Sequence, residues 1–463
     1  MANLRPIDLF RGWPAPDLIP VQSFQEAAAR ALSDKITSGA GFGYGPDEGY
    51  FPLRQNIAQW LTGFYGPREA ITASRICITG GASQNLASIL QVFTDPLQTQ
   101  LIWLVEPAYH LVFRSFEDSG FDGRMRAVPE DEEGMDVHAL EAALERHHAV
   151  GSNENSSNGY VTKPHRSHRK IYKHIIYCVP SFSNPSGTVM TRPRREALVR
   201  LARKFDALII SDDVYDFLSW TGSSRKPVGS QIQRLVDIDR TLDGGPLDRF
   251  GNVVSNGSFS KLLGPGCRVG WAEGTEGLVY GISQASVAHF TPFDIISLSN
   301  TSPPSGQTKS GGAPSQLIST FINELLESGT LQQHISTKLV PEGHRRYSLM
   351  VSAIKERLTG LGVTFSQGPE ETTLVGGYYV WVKLPDSIDA NQVCQKALET
   401  QNLDVGNGGL FAIPGGGSGC KDLHRRLRLC FMWEDGEHLV EGVNRLSLVI
   451  QTLLGDMQSR VTV

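Results

Sequence analysis

The chain has 463 residues, of which 43 are Lys or Arg and 48 are Asp or Glu, for a formal net charge of −5. Hydrophobic residues make up 40% and charged residues 20%, the composition of a soluble globular protein with material for a sizeable core, which excludes a disordered or membrane-embedded chain. The mildly acidic balance also argues against a nucleic-acid binder, which concentrates Lys and Arg on one surface.

The N-terminal MANLRPIDLFRGWPAP has no continuous apolar stretch and carries Asp8, so neither a secretory signal nor an Arg-rich transit peptide is expected. No later run approaches the ~20 apolar residues of a membrane span. Six cysteines, Cys77, Cys178, Cys267, Cys394, Cys420 and Cys430, are scattered without a CxxC pair. That spacing favours reduced thiols and a cytoplasmic setting over a disulfide framework or a zinc knuckle.

Short β-rich runs then recur at Ile76 to Thr79, Leu101 to Val105, Ile175 to Val179, Ala207 to Ser211, Val253 to Ser258 and Arg268 to Ala272. Several are apolar nearly throughout, the pattern of strands buried on both faces. Helical stretches lie between them. The clearest follows Thr191, with Pro193 in its first turn and Leu198, Leu201, Ala202 and Phe205 on one face. Alternating strands and helices predict βαβ units with a mostly parallel sheet and a ligand at the carboxyl ends of its strands. Three segments, 147–173, 221–249 and 300–314, read as insertions on the surface. His147, His148, His165 and His168 crowd the first, but no Cys or carboxylate spacing completes a coordination sphere, and no metal is expected. From about residue 315 the texture changes to helices at Gln316 to Glu327 and Leu331 to Leu358, the latter interrupted or kinked near Pro341. A second lobe follows, with strands at Gly376 to Pro385 and Leu427 to Trp433.

Chemistry gathers at the predicted strand ends. SFSKLLGPGCRVGW, Ser258 to Trp271, leaves a strand with Lys261 in a Gly/Pro-rich turn, where a lysine beside hydroxyls and Arg268 is suited to Schiff-base chemistry. VPSFSNPSGTVM places Asn184, Pro185 and Gly187 after one apolar run, and LIISDDVYDFL places Asp212 and Tyr215 after the next. An acid, a phenol, an amide and a lysine at one sheet edge are equipment for holding a protonated pyridine ring. Gly81, Ala82 and Ser83 open an apolar helix whose free N–H groups suit a phosphate.

In order and spacing, these motifs resemble those of pyridoxal-phosphate enzymes of fold type I, specifically the class I and II aminotransferases. The resemblance runs from FRGWPAPDLIP through YGPDEG, TGGASQNL and EPAYH to the three motifs above and LRLCF. It implies an α/β fold: a large domain with a mostly parallel, seven-stranded type of sheet flanked by helices, and a smaller α+β domain. The implied division is an N-terminal arm at 1–40, a large cofactor domain at 41–314, and an interdomain helix with the small domain at 315–463.

Residue by residue, the resemblance makes Lys261 the amine that holds pyridoxal phosphate as a Schiff base and moves the proton at the substrate Cα. The cationic cofactor and Arg268 are expected to lower its pKa. Asp212 would pair with the pyridinium nitrogen, with Asp213 as the alternative. Asn184 and Tyr215 would bond the ring oxygen, Tyr109 would stack on the ring, and Gly81, Ala82, Ser83, Ser258, Ser260 and Arg268 would cradle the phosphate. Tyr44 resembles a tyrosine reaching the neighbouring subunit's phosphate, which implies a homodimer with shared sites. Arg428 resembles the arginine that grips the substrate carboxylate, with Arg425 and Arg426 as neighbours in sequence, and Gly12 lies in the segment expected to close over the substrate.

The activity so implied is transfer of an amino group from an L-amino acid to a 2-oxo acid. The alternatives are a C–S lyase or an aminocyclopropane-carboxylate-synthase-like elimination on the same scaffold. A regulatory effector-binding domain is a further class; because the motifs begin by Tyr44, no winged-helix segment is expected ahead of them. No nucleic-acid or membrane partner is expected.

Overall fold

The computed structural model describes residues 4–150, 162–221, 232–285, 312–365, 374–416 and 422–461. Its centre is an eight-stranded sheet. In chain order the strands are β1 (Ile76–Thr79), β2 (Leu101–Glu106), β3 (Met125–Asp131), β4 (Gly134–Met135), β5 (His174–Cys178), β6 (Ala207–Asp212), β7 (Val253–Ser258) and β8 (Gly270–Glu273). Across the sheet they run β1, β8, β7, β6, β5, β2, β3, β4. The five strands from β7 to β3 are mutually parallel, while β8 is antiparallel to both β1 and β7. The expected mostly parallel sheet is thus present, extended at one edge by the two-residue β4.

Alternation along these strands sorts side chains onto two faces. Ile102, Leu104, Ile175, Tyr177, Leu208, Ile210 and Val254 join one large core. Leu101, Trp103, Val105, Ile176, Cys178, Ala207, Ile209 and Val253 join a second core on the other face. Parity therefore decides where each residue at a strand end points.

The helix Ala82–Phe93 seals the first face through Leu86, Ile89, Leu90 and Phe93, spaced as one helical stripe. The helix Arg192–Lys204 seals the second through Leu198, Leu201 and Ala202, with Thr191 at its N-cap and proline in its first turn.

A four-stranded antiparallel sheet lies beyond residue 363: Thr364–Phe365, Tyr379–Lys383, Arg426–Cys430 and Gly406–Asn407, in that order. The N-terminal segment is tied to it. Ile7–Asp8 pairs in parallel with Leu403–Asp404, Cys430 N donates to Leu9 O, and Ala15 N donates to Met432 O.

Some expectations change. The run Gly376 to Pro385 is not one strand: Leu374–Gly376 pairs with Ser219–Thr221, and Gly377 at φ +71° turns the chain before Tyr379–Lys383 begins. The interruption expected at Pro341 lies just before it. A π-turn at Ile335–Leu339 joins Thr330–His334 to Val340–Arg357, so proline enters in a first turn, where its missing N–H costs little. The segments 147–173 and 221–249 are not wholly surface. Tyr172, Arg234, Leu235 and Val236 are buried, and Leu235–Thr241 is helical. Residues 151–161 and 222–231, most of 300–314, and Cys420 lie outside the described residues. No described helix is long and apolar enough to cross a membrane.

Candidate active site

The carboxyl ends of β5, β6 and β7 meet the N-terminus of Ala82–Phe93 and the Arg426–Cys430 strand around a cavity of about 510 Å³. Among the predicted residues, Gly12, Ala82, Ser83, Tyr109, Asn184, Asp212, Tyr215, Ser258, Ser260, Lys261, Arg268 and Arg428 line it. Gly81 stands directly behind the wall as the helix N-cap, at φ +98°, where an added Cβ would lie 3.3 Å from an Arg268 nitrogen. Tyr44 is not in this cavity; it is 91% exposed.

Lys261 follows β7 in a single 3₁₀ turn capped by Ser258, whose side chain accepts from Ser260 N. Its Nζ donates to the carbonyl of Gly12 at 2.6 Å, and its own carbonyl accepts from Tyr378 Oη at 3.1 Å. Burial pushes the amine down to about 8. Arg428 adds to that downward push, whereas Arg268, expected to do so, is not among the causes. Arg268 is exposed and donates to Gly80 O at 2.7 Å, so water screens it.

Asp212 ends β6 on the parity of Leu208 and Ile210 and so enters the cavity. Its Oδ2 accepts from Tyr177 Oη at 2.8 Å, while its buried Oδ1 has no hydrogen-bond partner. Burial raises this carboxyl to about 6. Asp213 takes the opposite parity, accepts from Ser211 Oγ at 2.5 Å and from Ser255 Oγ, and is absent from the cavity wall. The two neighbouring acids, of which the resemblance favoured Asp212, therefore stand on opposite faces of the sheet.

Arg428 projects from its strand opposite Leu427 and Leu429, which are in the core. Its Nη1 donates to Asn184 Oδ1 at 2.8 Å and its Nη2 to Phe10 O at 2.7 Å; Nε is buried without a partner. Arg425 instead pairs with Asp386 and Asp422, and Arg426 does not reach the cavity. Gly12 is fixed by space: an added Cβ would lie 2.0 Å from Tyr379 Oη.

Several cavity residues carried no motif of their own. Tyr379 lies beneath the Arg428 guanidinium at 4.2 Å and accepts from Tyr215 Oη at 3.4 Å. Asn256 accepts from Asn85 and donates to Ala82 O at 3.0 Å, pinning the helix N-terminus to the lysine's strand. Tyr177 also lines the wall, as do Phe10 of FRGWPAPDLIP and His110 of EPAYH. Strand parity was the signal that could have found Tyr177 and Asn256, since each lies two or more residues before a motif on the cavity-facing register.

The residues present fit a phosphorylated pyridine. A buried carboxylate oxygen without a partner suits a cationic ring nitrogen, and free helix N–H groups beside Ser258, Ser260 and Arg268 suit a phosphate. Among the described residues no three His, Cys, Asp or Glu side chains gather as a metal set.

The sequence model of the family "Aminotransferase class I and II" matches residues 20–443. An uncharacterized protein of Saccharomyces cerevisiae is 31% identical over 424 residues, covering 88% of this chain and 89% of that protein. The 2-aminoadipate transaminase of Thermus thermophilus is 29% identical over 446 residues, covering 96% and 89%. Among solved structures, the α-aminoadipate aminotransferase of Thermus thermophilus, complexed with N-(5'-phosphopyridoxyl)-L-leucine, superposes with a TM-score of 0.72 at 26% identity, covering 97% of this chain and 93% of that one. The chain belongs to the class I and II aminotransferases: it has the fold type I architecture, is an amino-group transferase, and uses pyridoxal phosphate.

Proposed function

From that membership, we propose that the cavity is the site of amino transfer between an L-amino acid and a 2-oxo acid, with Lys261, Asp212 and Arg428 as its principal groups. The observation that carries this reading is the convergence of the three: a partly buried amine near neutrality, a carboxylate with one open oxygen, and a guanidinium with a buried unpartnered Nε, all on one cavity.

Pyridoxal phosphate, when bound, supplies an electrophilic carbonyl and an electron-withdrawing ring that stabilises negative charge at the substrate Cα. Lys261 Nζ takes the Cα proton and returns it. An amine held at about 8 is unprotonated often enough at neutral pH to do so, which one at its ordinary 10.5 is not. Asp212, through its open Oδ1, would pair with the ring nitrogen and keep it cationic. Because Asn184 Oδ1 is already taken by Arg428, its amide nitrogen is the group left to donate to the ring oxygen, and Tyr215 would join it by turning its one hydroxyl proton from Tyr379 to that oxygen. Tyr109 would stack on the ring. Gly81, Ala82, Ser83, Ser258, Ser260 and Arg268 hold the phosphate, and the Asn85–Asn256 bond keeps that cradle in register with Lys261. Arg428 receives the substrate carboxylate, and the Gly12 segment covers the opening.

The same reading makes the chain a homodimer with Tyr44 serving the partner's phosphate. Its support is an exposed apolar surface of Ile36, Phe42 and Tyr44, at 84%, 74% and 91%. It places residues 1–40 with the small domain, divides the chain near 315, and sets it in the cytoplasm. Among the described residues Cys77, Cys178, Cys267, Cys394 and Cys430 form no disulfide, which suits a reducing compartment.

The test is the visible spectrum of the purified protein mixed with single L-amino acids and no oxo acid, starting from 2-aminoadipate and leucine, with products measured on the same samples. Loss of the long-wavelength cofactor band with one equivalent of oxo acid formed is the expected result. A band that persists while ammonia and pyruvate or oxobutyrate are released repeatedly would replace transfer with elimination.

A further inference from the structure

Tyr177 is buried in the cavity wall, yet none of the roles above uses it. It stands on β5, in register with Ile210 on the parallel neighbour β6. Asp212 is two residues further along β6 on the same face, the diagonal relation across which an aromatic side chain reaches its neighbour. The phenol donates to Asp212 Oδ2 at 2.8 Å, and this occupies one carboxylate oxygen while Oδ1 stays open. Burial holds the phenol well above its ordinary range, so it is the donor of the pair. Burial likewise raises Asp212; the Tyr177 bond is the largest influence in the opposite direction, ahead of Lys261 and the Val214 backbone N–H. Phe116, edge-on to the Tyr177 ring at 6.1 Å, fixes the ring's orientation.

We infer that Tyr177 is a positioning residue: its hydroxyl locks the Asp212 carboxylate in the rotamer that turns Oδ1 toward the cofactor's ring nitrogen and provides the buried donor that keeps that carboxylate anionic. The inference rests on the placement of Asp212 opposite that nitrogen. With Oδ2 tied to the phenol, Oδ1 is left as the open oxygen with a defined direction, which a carboxylate held by the Val214 N–H alone does not offer.

The test compares binding of pyridoxal phosphate with that of its 1-deaza analogue, in which carbon replaces the ring nitrogen. Affinities are measured by fluorescence titration of full-length protein stripped of cofactor. Tyr177→Phe keeps the ring and its packing and removes only the hydroxyl; a melting curve confirms that it folds. It is expected to weaken pyridoxal phosphate binding about tenfold or more while leaving the deaza analogue nearly unchanged. Tyr177→His, which restores a donor, is expected to recover part of the difference. Equal losses for both ligands would reduce Tyr177 to packing, and no loss for either would make it dispensable; both results overturn the inference. Asp212→Asn separates this failure from that of the site assignment. If it also treats the two ligands alike, the placement of Asp212 is wrong; if it discriminates and Tyr177→Phe does not, only the role of Tyr177 falls.

Discussion

Two neighbouring clusters of buried charge, divided by the alternation of a single strand, have opposite characters. On the cavity side, Asp212, Arg428 and Lys261 keep open valences: Asp212 Oδ1 and Arg428 Nε lack partners, and Lys261 Nζ donates to the Gly12 carbonyl alone among the described residues. On the other side most groups close on one another, although Asp216 Oδ1 there is buried without a partner. Asp213 accepts from two serine hydroxyls, Arg234 reaches Glu273 at 2.6 Å and Asp237 at 2.9 Å while stacking over Tyr65, and Arg195 caps the carbonyls of Pro180 and Met190. What differs is whether the partners are internal. A closed cluster stabilises the fold; an open one holds unmet hydrogen-bonding capacity that a ligand can satisfy.

The comparison breaks most visibly at Lys261. Lys261→Ala removes the amine placed to carry the Cα proton, and turnover should fall by a factor on the order of 10³ or more while the melting temperature barely moves. Steady-state rates and a thermal melt check both halves.

The adjacent acids give the sharper contrast. Asp212→Asn should lose most activity with the fold intact. Asp213→Asn should do the reverse, costing about 1–3 kcal/mol of stability because an amide has one accepting oxygen where the carboxylate serves both Ser211 and Ser255, while the cavity wall is unchanged. Denaturant melts and rates on the two variants decide it; equal effects on both measures would erase the distinction.

How far this division was legible in the sequence depends on what each residue answers to. The strands β5, β6 and β7 and the motif residues at their ends were readable because apolar runs buried on both faces leave little alternative, and because Lys261, Asn184 and Asp212 stand in an ordered set. Asp212 was favoured over Asp213 by its spacing of three to Tyr215, and parity with Leu208 and Ile210 was a second signal that distinguishes them. The cause of the depressed Lys261 pKa was not legible, since burial depends on Tyr378, Gly12 and Arg428 arriving from segments far apart in the chain. Gly377 likewise ended a strand by turning the chain at φ +71°, where an added Cβ would lie 2.7 Å from Phe182 Cβ, a residue the local pattern does not mention.

Arg428 tests the open cluster at its substrate end. Arg428→Ala removes a charged donor from a buried site and should raise KM for the amino acid about 100-fold, with a smaller change in kcat. It also frees Asn184 Oδ1, so a modest loss of cofactor affinity should accompany it. An unchanged KM would move the carboxylate site elsewhere.

The smallest effect bears on the closed cluster. Tyr65 Oη donates to Asp216 Oδ2 at 3.0 Å, and burial holds the Asp216 carboxyl up to about 8 against its ordinary 3.8. Between those values the folded chain keeps a proton that the unfolded chain has released, so this group makes stability fall as pH rises across that window. Asp216→Asn keeps an acceptor for Tyr65 and has no proton to lose. The variant should therefore lose less stability than the parent between pH 5 and pH 8 in urea melts, with Asp213 and Glu273, both also raised by burial, accounting for the slope that remains. Its pH–rate profile should match the parent's, because Asp216 lies outside the cavity wall and Lys261 responds to burial, Asp212, Arg428 and Cys430. If the rate profile moved together with the stability profile, the two clusters would be a single electrostatic unit, and the strand between them would divide side chains without dividing function.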